Sequence, residues 1–450
     1  MRGGWATEKG GCGRWWAMRL RILLPMVLMV SVGRCDWPQW RGEDGQGHAG
    51  GKGLPVEWGE KDGVEWRTEL PGRGWSSPVV AGGRVWMTTA METEAGEEEK
   101  AERLKTNTGD QPLTLLSQVE LRALCVDAAS GKVVSNLLLM TKRSPQWVHE
   151  LNSYASPSPV LADGRLYCHF GSLGTACVDT AKGEVAWVNE DKDLEVMHEN
   201  GPGSTPVVEG RKVIFHLDGS DRQMVVALDG GSGKVVWKTM RSGAMNDNPQ
   251  LKKSYGTPLV VTVGGRRQML STGANWLYSY DPASGEELWK VPFGDLGFSI
   301  TPRPVYADGV VYLATGYGKS RVMAVKIDGK EPEVLWKFDK GAPTMPSPVL
   351  VDGLLYFAND GGMVTCVDAK SGEEVFRERL GEPFSASPLA HDGRIYFPGR
   401  EGTTYVLKAG RAFEKLAANR LEGRQFASFA VDGGALLVRT DKALYRISEK

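Results

Sequence analysis

The stretch SPVLADGRLYCHFGSLGTACVDTAKGEVAW, residues 158–187, is one complete copy of a pattern that recurs along most of the chain. A Ser-Pro pair and two apolar residues lead through an Asp-Gly turn into a strand centred on Tyr167, and the copy ends in Asp-x-x-x-Gly-x-x-x-Trp. Asp-Gly pairs favour tight hairpin turns because both residues tolerate positive φ. Each copy therefore predicts four short antiparallel strands.

Most copies follow one another at about 40–50 residues, a spacing that is typical of repeat architectures. Full copies start at Ser77, Ser158, Thr205, Thr257, Thr301, Ser347 and Ser387, each followed by proline, and a degenerate copy starts at Ser428. The last copy lacks a Trp strand, whereas residues 63–70 (GVEWRTEL) form a Trp strand with no preceding sheet. We therefore predict an all-β, eight-bladed β-propeller of four-stranded antiparallel blades, closed by this N-terminal strand. Seven blades are expected if the copy at Ser428 is not a sheet.

Three residues near the end of each copy have predicted structural roles. The Asp side chain can accept hydrogen bonds from turn amides, the Gly can adopt positive φ, and the Trp ring can pack between neighbouring sheets. The recurring sets are Asp179, Gly183 and Trp187; Asp229, Gly233 and Trp237; and Asp281, Gly285 and Trp289.

Residues 1–35 are interpreted as a leader with a signal peptide, because the apolar stretch 22–32 follows Arg19 and Arg21 and is too short for a membrane span. Met18 is the expected true start. Arg34 precedes Cys35, where a lipidation motif has Gly or Ala, so membrane association is expected only if Cys35 is lipidated. The sequence thus predicts a periplasmic or secreted protein, expected to be a monomer.

Residues 36–450 are predicted to form one propeller domain with a charged insertion at about 91–120. The insertion contains EAGEEEKAERLK, which favours a solvated excursion of one or two helical turns. The whole chain has 54 Lys and Arg residues against 55 Asp and Glu residues, and no basic stripe. A nucleic-acid partner is therefore not expected.

The cysteines show no metal-ligand spacing. Cys125, Cys177 and Cys366 share one repeat position and are expected to be small buried side chains. A cross-strand disulfide between Cys168 and Cys177 is one alternative in an oxidising compartment, and free thiols are the other.

The Asp-x-x-x-Gly-x-x-x-Trp element in serial β-repeats resembles the pyrroloquinoline-quinone-like (PQQ-like) repeat of quinoprotein alcohol dehydrogenases and BamB-like propellers. WPQWRG (37–42), LPGRGWSSPVVAGGRVW (70–86) and TMPSPVLVDGLLY (344–356) look like a secreted group of these propellers that is common in planctomycetes. The resemblance covers about residue 36 to the end and implies the propeller fold.

The resemblance implies two functions from different classes. A PQQ-dependent dehydrogenase oxidising an alcohol or sugar would need a bound polyanion, Ca²⁺ held by oxygen ligands and a carboxylate base. The Cys-Cys pair that covers the cofactor in the alcohol dehydrogenases of this fold is absent, as is a haem motif Cys-x-x-Cys-His. The preferred hypothesis is a non-catalytic propeller, acting as a protein-interaction scaffold or as a binding module for a small polar ligand, with no cofactor. No catalytic residue and no metal ligand is assigned.

A ligand site in a propeller is expected where the loops enter the innermost strands around the central funnel. The polar and aromatic candidates in these loops are His149, Asn152, Tyr154, His198, Glu199, Asn200, Asn246, Asp247 and Tyr255. Alternatively, the Asn residues shape turns while Tyr and His pack at blade edges. His169 and His216 lie at equivalent strand positions and are expected to be hydrogen-bonded core residues rather than zinc ligands.

Overall fold

The structure is a computed structural model that describes residues 36–51, 53–107, 111–294 and 297–449. These residues form eight four-stranded antiparallel sheets, which confirms the eight-bladed propeller. The predicted signal peptide, the start at Met18 and the possible lipidation site Cys35 lie outside the described residues. None of the helices in the described ranges has the length and apolar character needed to cross a bilayer.

The blades are numbered along the chain, and their strands are given from the innermost outward. Blades one to four are Val79–Ala81, Arg84–Glu94, Leu116–Asp127, Val133–Arg143; Val160–Ala162, Arg165–His169, Thr175–Asp179, Glu184–Asn189; Val207–Glu209, Lys212–Asp218, Gln223–Asp229, Val235–Met240; and Leu259–Val263, Arg266–Gly273, Trp276–Tyr280, Glu287–Pro292. Blades five to eight are Val305–Ala307, Val310–Ala314, Val322–Lys326, Glu333–Phe338; Val349–Val351, Leu354–Ala358, Met363–Asp368, Glu374–Arg379; Leu389–His391, Arg394–Pro398, Thr403–Lys408, Lys415–Arg420; and Ala430–Asp432, Ala435–Arg439, Ala443–Ser448, Val64–Glu69.

Short elements lie in the connections between strands, both within and between blades. They are the α-helix Glu97–Leu104, the 3₁₀ turns Gly171–Leu173, Lys192–Leu194 and Pro249–Lys252, and two strand pairs, Leu113–Thr114 with Val148–His149 and Gly297–Phe298 with Tyr317–Gly318. The helix belongs to the charged insertion of blade one and buries none of its side chains. It is held to the blade by Arg103, whose guanidinium donates to the Leu116 carbonyl at 2.8 Å.

The ring closes through the N-terminal strand, as predicted. Val64–Glu69 is the outermost strand of blade eight and pairs antiparallel with Ala443–Ser448. Trp66 from this strand lies over Gly131 of blade one, and its indole donates to the Ala128 carbonyl at 3.0 Å. The first and last parts of the propeller are therefore joined by both a sheet and a packed ring.

The repeated Trp and Gly residues form the contacts between blades. The Trp187 ring of blade two lies over Gly233 of blade three, whose φ is 72°, and its indole donates to the Gly230 carbonyl at 3.0 Å. Trp237 lies over Gly285 in the same way, and Trp336 lies over Gly372. The Asp side chain shapes the turn that presents the glycine: Asp229 Oδ1 accepts from the Gly231 and Ser232 amides at 3.1 and 2.9 Å. Trp289 departs from this arrangement, since its indole donates to Gln268 of its own blade.

Gly183 and Gly233 provide a matched test of the Trp–Gly contact, because their φ values are 68° and 72°. A Cβ at Gly183 would meet nothing within 4 Å, whereas a Cβ at Gly233 would lie 2.5 Å from Cε3 of Trp187. We expect Gly183→Ala to lower the free energy of unfolding by about 1 kcal/mol, the cost of a left-handed alanine. Gly233→Ala should lower it by about 2–4 kcal/mol, because the ring must also move. Urea unfolding measures both losses, and equal losses would contradict the role given to Trp187.

Blade five begins later in the chain than the sequence pattern predicted. Its innermost strand starts at Val305, so Arg303 occupies the position that the pattern assigned to Thr301. The Arg303 amide donates to Ser347 Oγ at 2.9 Å, as the equivalent amides of other blades do to their neighbours. The prediction was wrong here because the segment TPRP has two prolines, and either can precede a strand.

The cysteines are buried and free. This holds for Cys125, Cys168, Cys177 and Cys366, the cysteines within the described ranges. Cys168 lies opposite Ala176, and Cys177 lies opposite Tyr167. The two thiols are thus offset by one strand position and point to opposite faces of the sheet.

Residues 37–49, the N-terminal plug, fill the centre of the propeller at the level of the innermost strands. The plug pairs with the innermost strands of five blades through Val80, Leu161, Tyr306, Leu350 and Ala390. Trp37 exchanges two backbone hydrogen bonds of 2.8 Å with Val80 of blade one, and Ala49 donates to Ala390 of blade seven at 2.9 Å. A segment with these contacts must cross the propeller axis, so it closes the central channel at one end.

Two buried arginines hold the plug in place. Arg41, only 2 % exposed, donates to the carbonyls of Gln46 and Pro348 at 2.6 Å each. Arg303 donates to the carbonyls of Pro258, Trp40 and Gly45 at 3.0, 3.3 and 3.1 Å. Burial and the neighbouring Arg303 guanidinium lower the pKa of Arg41 to about 9, and burial lowers that of Arg303 to about 10. Both side chains therefore stay cationic at neutral pH while serving mainly as donors to backbone carbonyls.

Candidate functional site

The Ser and Thr residues that start the blades form a hydrogen-bonded ring around the axis. In this ring the amide of one residue donates to the hydroxyl of its counterpart in the next blade. The pairs are Ser77 to Ser158, Ser158 to Thr205, Thr205 to Thr257, Ser347 to Ser387, Ser387 to Ser428 and Ser428 to Ser77, at 2.8–3.1 Å. Arg303, which has no hydroxyl, interrupts the ring after Thr257. Hydrogen bonds to these hydroxyls, rather than a β-ladder, thus join neighbouring blades. The hydroxyl groups face the channel.

A cavity of about 410 Å³ lies on the axis above the plug. Residues from all eight blades or their preceding loops line it, including the ring residues Ser77, Ser158, Thr205, Thr257, Ser387 and Ser428. Trp40 of the plug forms the floor, with its indole donating to Ser428 Oγ at 3.2 Å. The loops that precede the innermost strands form the upper wall. The cavity therefore opens on one face only, and its volume is within the range of small-molecule sites.

The structure brings four of the nine predicted funnel residues to this cavity: His149, Asn152, Asn200 and Tyr255. Asn152 joins the loops before blades two and three, since its Nδ2 donates to the carbonyls of Asn200 and Pro202 at 2.7 and 3.1 Å. The Tyr255 hydroxyl donates to the His198 carbonyl at 2.7 Å. Asn152 and Tyr255 thus shape the wall as well as facing the cavity, and whether these four residues bind a ligand stays a prediction.

The other five predicted residues do not line the cavity. Tyr154 is buried in the core and donates to the Gln146 carbonyl at 2.5 Å. His198 is buried behind the wall, where its Nε2 accepts from the Ser172 amide at 3.2 Å. Glu199 contacts Lys253, while Asn246 and Asp247 belong to an outer loop. Residue type alone pointed to all nine, but the path of each loop decides which of them face the axis.

Few charged groups face the cavity. Among the described residues that line it, His149 and Lys253 are the side chains that can carry a positive charge, and no carboxylate is present. Lys253 is 2 % exposed and its Nζ donates to Glu199 at 2.8 Å, so its charge is compensated. His149 Nδ1 accepts from the Leu151 amide at 3.1 Å, and burial lowers the pKa of His149. Neutral His149 therefore carries its proton on Nε2, where it can donate to a ligand.

Several aromatic lining residues were not among the sequence candidates. Trp75 and Phe426 stack at a centroid distance of 4.5 Å near the mouth of the cavity. Phe298 and Tyr317 also line the cavity, from two paired short strands. Trp40 is part of WPQWRG, a stretch that resembles the family but does not belong to the repeat. The local sequence therefore does not predict that Trp40 lies on the axis.

Three histidines are buried in neutral form near the cavity wall. Burial lowers the pKa of His169 to about 3 and that of His198 to about 4, and it lowers the pKa of His216 well below its usual range. His169 stacks on Phe215 at 3.8 Å, as expected for a core residue, and His216 lies 2.9 Å from Ser271 Oγ. Among the described residues, no group of three or more His, Cys, Asp or Glu side chains is placed to hold a metal ion.

These lowered pKa values predict acid destabilisation. Each histidine binds its proton more readily in the unfolded chain, so the stability present above pH ~6.5 is lost as the pH falls towards ~4. Each should contribute a loss of up to about 1.4 kcal/mol per pH unit in that window. Urea unfolding between pH 7 and pH 4 should therefore show a steep fall, which His169→Gln makes shallower. His48→Gln is the control, because a hydrogen bond with Asp44 raises the pKa of His48 and gives the opposite sign. An unchanged slope in His169→Gln would contradict the expectation.

Comparisons with known proteins agree with this fold. A family model described as outer membrane protein assembly factor BamB matches residues 110–261, 221–351 and 332–448. BamB from Moraxella catarrhalis is 13% identical with a TM-score of 0.51, covering 74% of this chain and 100% of that one. Quinohemoprotein alcohol dehydrogenase from Comamonas testosteroni is 13% identical with a TM-score of 0.50, covering 92% of this chain and 80% of that one. No curated protein matches the chain.

At such identities the solved structures show the fold alone. The family model is the stronger finding, because its matches together extend from residue 110 to residue 448 and include most of the propeller. The chain belongs to the PQQ-like propeller family that the BamB model describes.

Proposed function

We propose that this protein is an exported, non-catalytic PQQ-like propeller that binds a small polar ligand in its axial cavity. The observation that carries the proposal is the one-ended cavity of about 410 Å³, with hydroxyls around its wall and Trp40 as its floor. Hydroxyl groups above a flat aromatic floor suit a ligand with many hydroxyls, such as a saccharide. Export rests on the apolar stretch 22–32.

The donor set of the cavity does not fit PQQ and its cation. PQQ is a flat polyanion that acts with a hard cation, and such cations take carboxylate and amide oxygens. No carboxylate lines the cavity in the described part of the chain, and the buried ammonium of Lys253 is already paired with Glu199. The Asn152 amide is already hydrogen-bonded within the wall at both of its polar atoms, since its Nδ2 donates to backbone carbonyls and its Oδ1 accepts from Ser153 and Ser156. This mismatch favours the non-catalytic hypothesis over the dehydrogenase.

Calorimetry with glucose, galactose, cellobiose and PQQ plus Ca²⁺ tests the proposal. We expect at least one saccharide to bind with one-to-one stoichiometry and to change the tryptophan fluorescence. Trp40→Leu should lower its affinity about tenfold or more, because the floor loses its flat ring. Trp276→Leu is the matched control, since Trp276 is half-buried and lies outside the cavity.

Two outcomes would overturn the proposal. The first is stoichiometric PQQ binding followed by dye-linked oxidation of an alcohol or sugar, which would establish a dehydrogenase. The second is the absence of binding by every saccharide tested.

A protein-interaction scaffold is the second candidate, and the outermost strands favour it. Their exposed apolar side chains concentrate in blades one and three, namely Val133, Val134, Leu138, Val235, Val236 and Met240, each at least 38 % exposed. Exposed apolar groups at strand edges are typical of association surfaces. Capture of outer-membrane assembly proteins by wild type, lost when Val134 and Val236 are changed to Lys, would support this candidate.

A further inference from the structure

Three guanidinium groups surround the aromatic stack at the mouth of the cavity. Arg73 lies 5.5 Å from the ring of Trp75, and Arg424 lies 5.5 Å from the ring of Phe426. Arg400 approaches Phe426 at 5.7 Å. The positive charge of the mouth is thus concentrated where blades seven, eight and one meet, and such a field attracts anions.

Arg400 differs from the other two arginines because it has no carboxylate partner among the described residues. Arg424 Nε donates to Asp441 at 3.1 Å, and Arg73 lies 3.9 Å from Glu92. Arg400 instead donates through Nε to Ser385 Oγ at 2.9 Å, and its Nη2 is buried without a hydrogen-bond partner. Because no carboxylate neutralises Arg400, an anionic ligand bound beside it would supply the missing counter-charge.

Arg400 does not itself line the cavity, but it borders two residues that do. Its hydrogen-bond partner Ser385 and its stacking partner Phe426 both line the cavity. The remaining wall is uncharged apart from His149 and the paired Lys253. One end of a bound molecule would therefore meet hydroxyls and Trp40, and the other end would lie beside the Arg400 charge, which suits a carboxylate or sulfate.

We infer that the cavity binds an acidic saccharide, whose carboxylate or sulfate group is held by Arg400 at the mouth. This inference rests on the proposed ligand-binding function and specifies its ligand class. The polyhydroxylated part contacts the Ser/Thr ring and Trp40, and the acidic group supplies the counter-charge that Arg400 lacks.

Calorimetric titration with glucose, glucuronate and glucose 6-sulfate tests the inference. Glucuronate keeps the ring of glucose and carries a carboxylate at C6, while glucose 6-sulfate separates sulfate from carboxylate recognition. Wild type should bind one of the two acids at least about tenfold more tightly than glucose. Arg400→Gln should reduce the affinity for that acid to the affinity for glucose, leaving glucose binding unchanged. Arg424→Gln is the matched control: it removes the same charge from the same aromatic ring, yet it should keep most of the preference.

The outcomes separate this inference from the proposed function. Equal binding of glucose and both acids by wild type would overturn the acidic ligand class while retaining a saccharide site. A preference that survives Arg400→Gln would overturn the role of Arg400. Failure of all three sugars and of the neutral panel to bind would overturn the proposed function and the inference together.

Discussion

Replacing Asp218 by alanine should lower the free energy of unfolding by about 3–5 kcal/mol. The Asp218 and Arg241 side chains are both 0 % exposed, and Arg241 Nε and Nη2 donate to the two carboxylate oxygens at 2.7 Å each. Arg241 also donates to Ser271 Oγ at 2.8 Å and lies 4.9 Å from the ring of Tyr278. Loss of the carboxylate leaves a buried guanidinium between blades three and four with no counter-charge.

Urea unfolding of two further variants makes this expectation specific. Arg241→Met in the Asp218→Ala background should recover part of the loss, because the stranded charge is removed. Glu414→Ala breaks an ion pair with Lys408 in which the Glu414 and Lys408 side chains are 51 % and 60 % exposed. This variant should lower the free energy of unfolding by no more than about 1 kcal/mol. A loss of similar size in Asp218→Ala and Glu414→Ala would contradict the role of the buried pair.

Trp37→Ala should destabilise the protein by about 3–5 kcal/mol, a loss typical of a buried aromatic. Trp37 is 4 % exposed and packs in the core that joins blades one, seven and eight. Its ring also supports the plug from within, since a Cβ at Gly42 would lie 2.9 Å from it. The variant therefore weakens both the core and the closure of the channel.

Trypsin provides a second measurement for this variant, because Arg41 is 2 % exposed in the native plug. Cleavage after Arg41 should be slow in wild type and much faster in Trp37→Ala, with an intermediate rate in Trp37→Phe. If Trp37→Ala is destabilised while Arg41 stays protected, Trp37 stabilises the core without holding the plug.

Much of the fold could be predicted because its causes are local and repeated. The Asp-Gly and Asp-x-x-x-Gly turns determine strand spacing through positive φ, and Gly183 and Gly233 adopt the φ values that their turns require. The strand at 63–70 was assigned to the last blade because its Trp lacked a sheet of its own, and Val64–Glu69 does complete blade eight.

The site was less predictable because non-local contacts decide it. The hydroxyls of the Ser/Thr ring were visible in every copy, but their hydrogen bonds join residues about a blade apart. Arg303 takes a position in the ring because the innermost strand of blade five starts later than predicted, and the two prolines of TPRP are compatible with either start. Trp40 reaches the cavity only through the plug, and Arg400 approaches the lining residue Phe426 only through the turn after Pro398. Neither segment carries an alternating pattern that would indicate its direction.

The plug and the closing strand also constrain how the chain can fold. The Ala49 carbonyl contacts the ring nitrogen Nδ1 of His391, 342 positions further along the chain, and Trp66 pairs with Arg446. Residues 37–69 therefore lack part of their partners until the last blades have formed, whichever end of the chain orders first. Closing so long a loop is entropically unfavourable, and topologies dominated by distant pairings fold slowly. Folding of this chain should thus end in a single late step that closes both the ring of blades and the central channel.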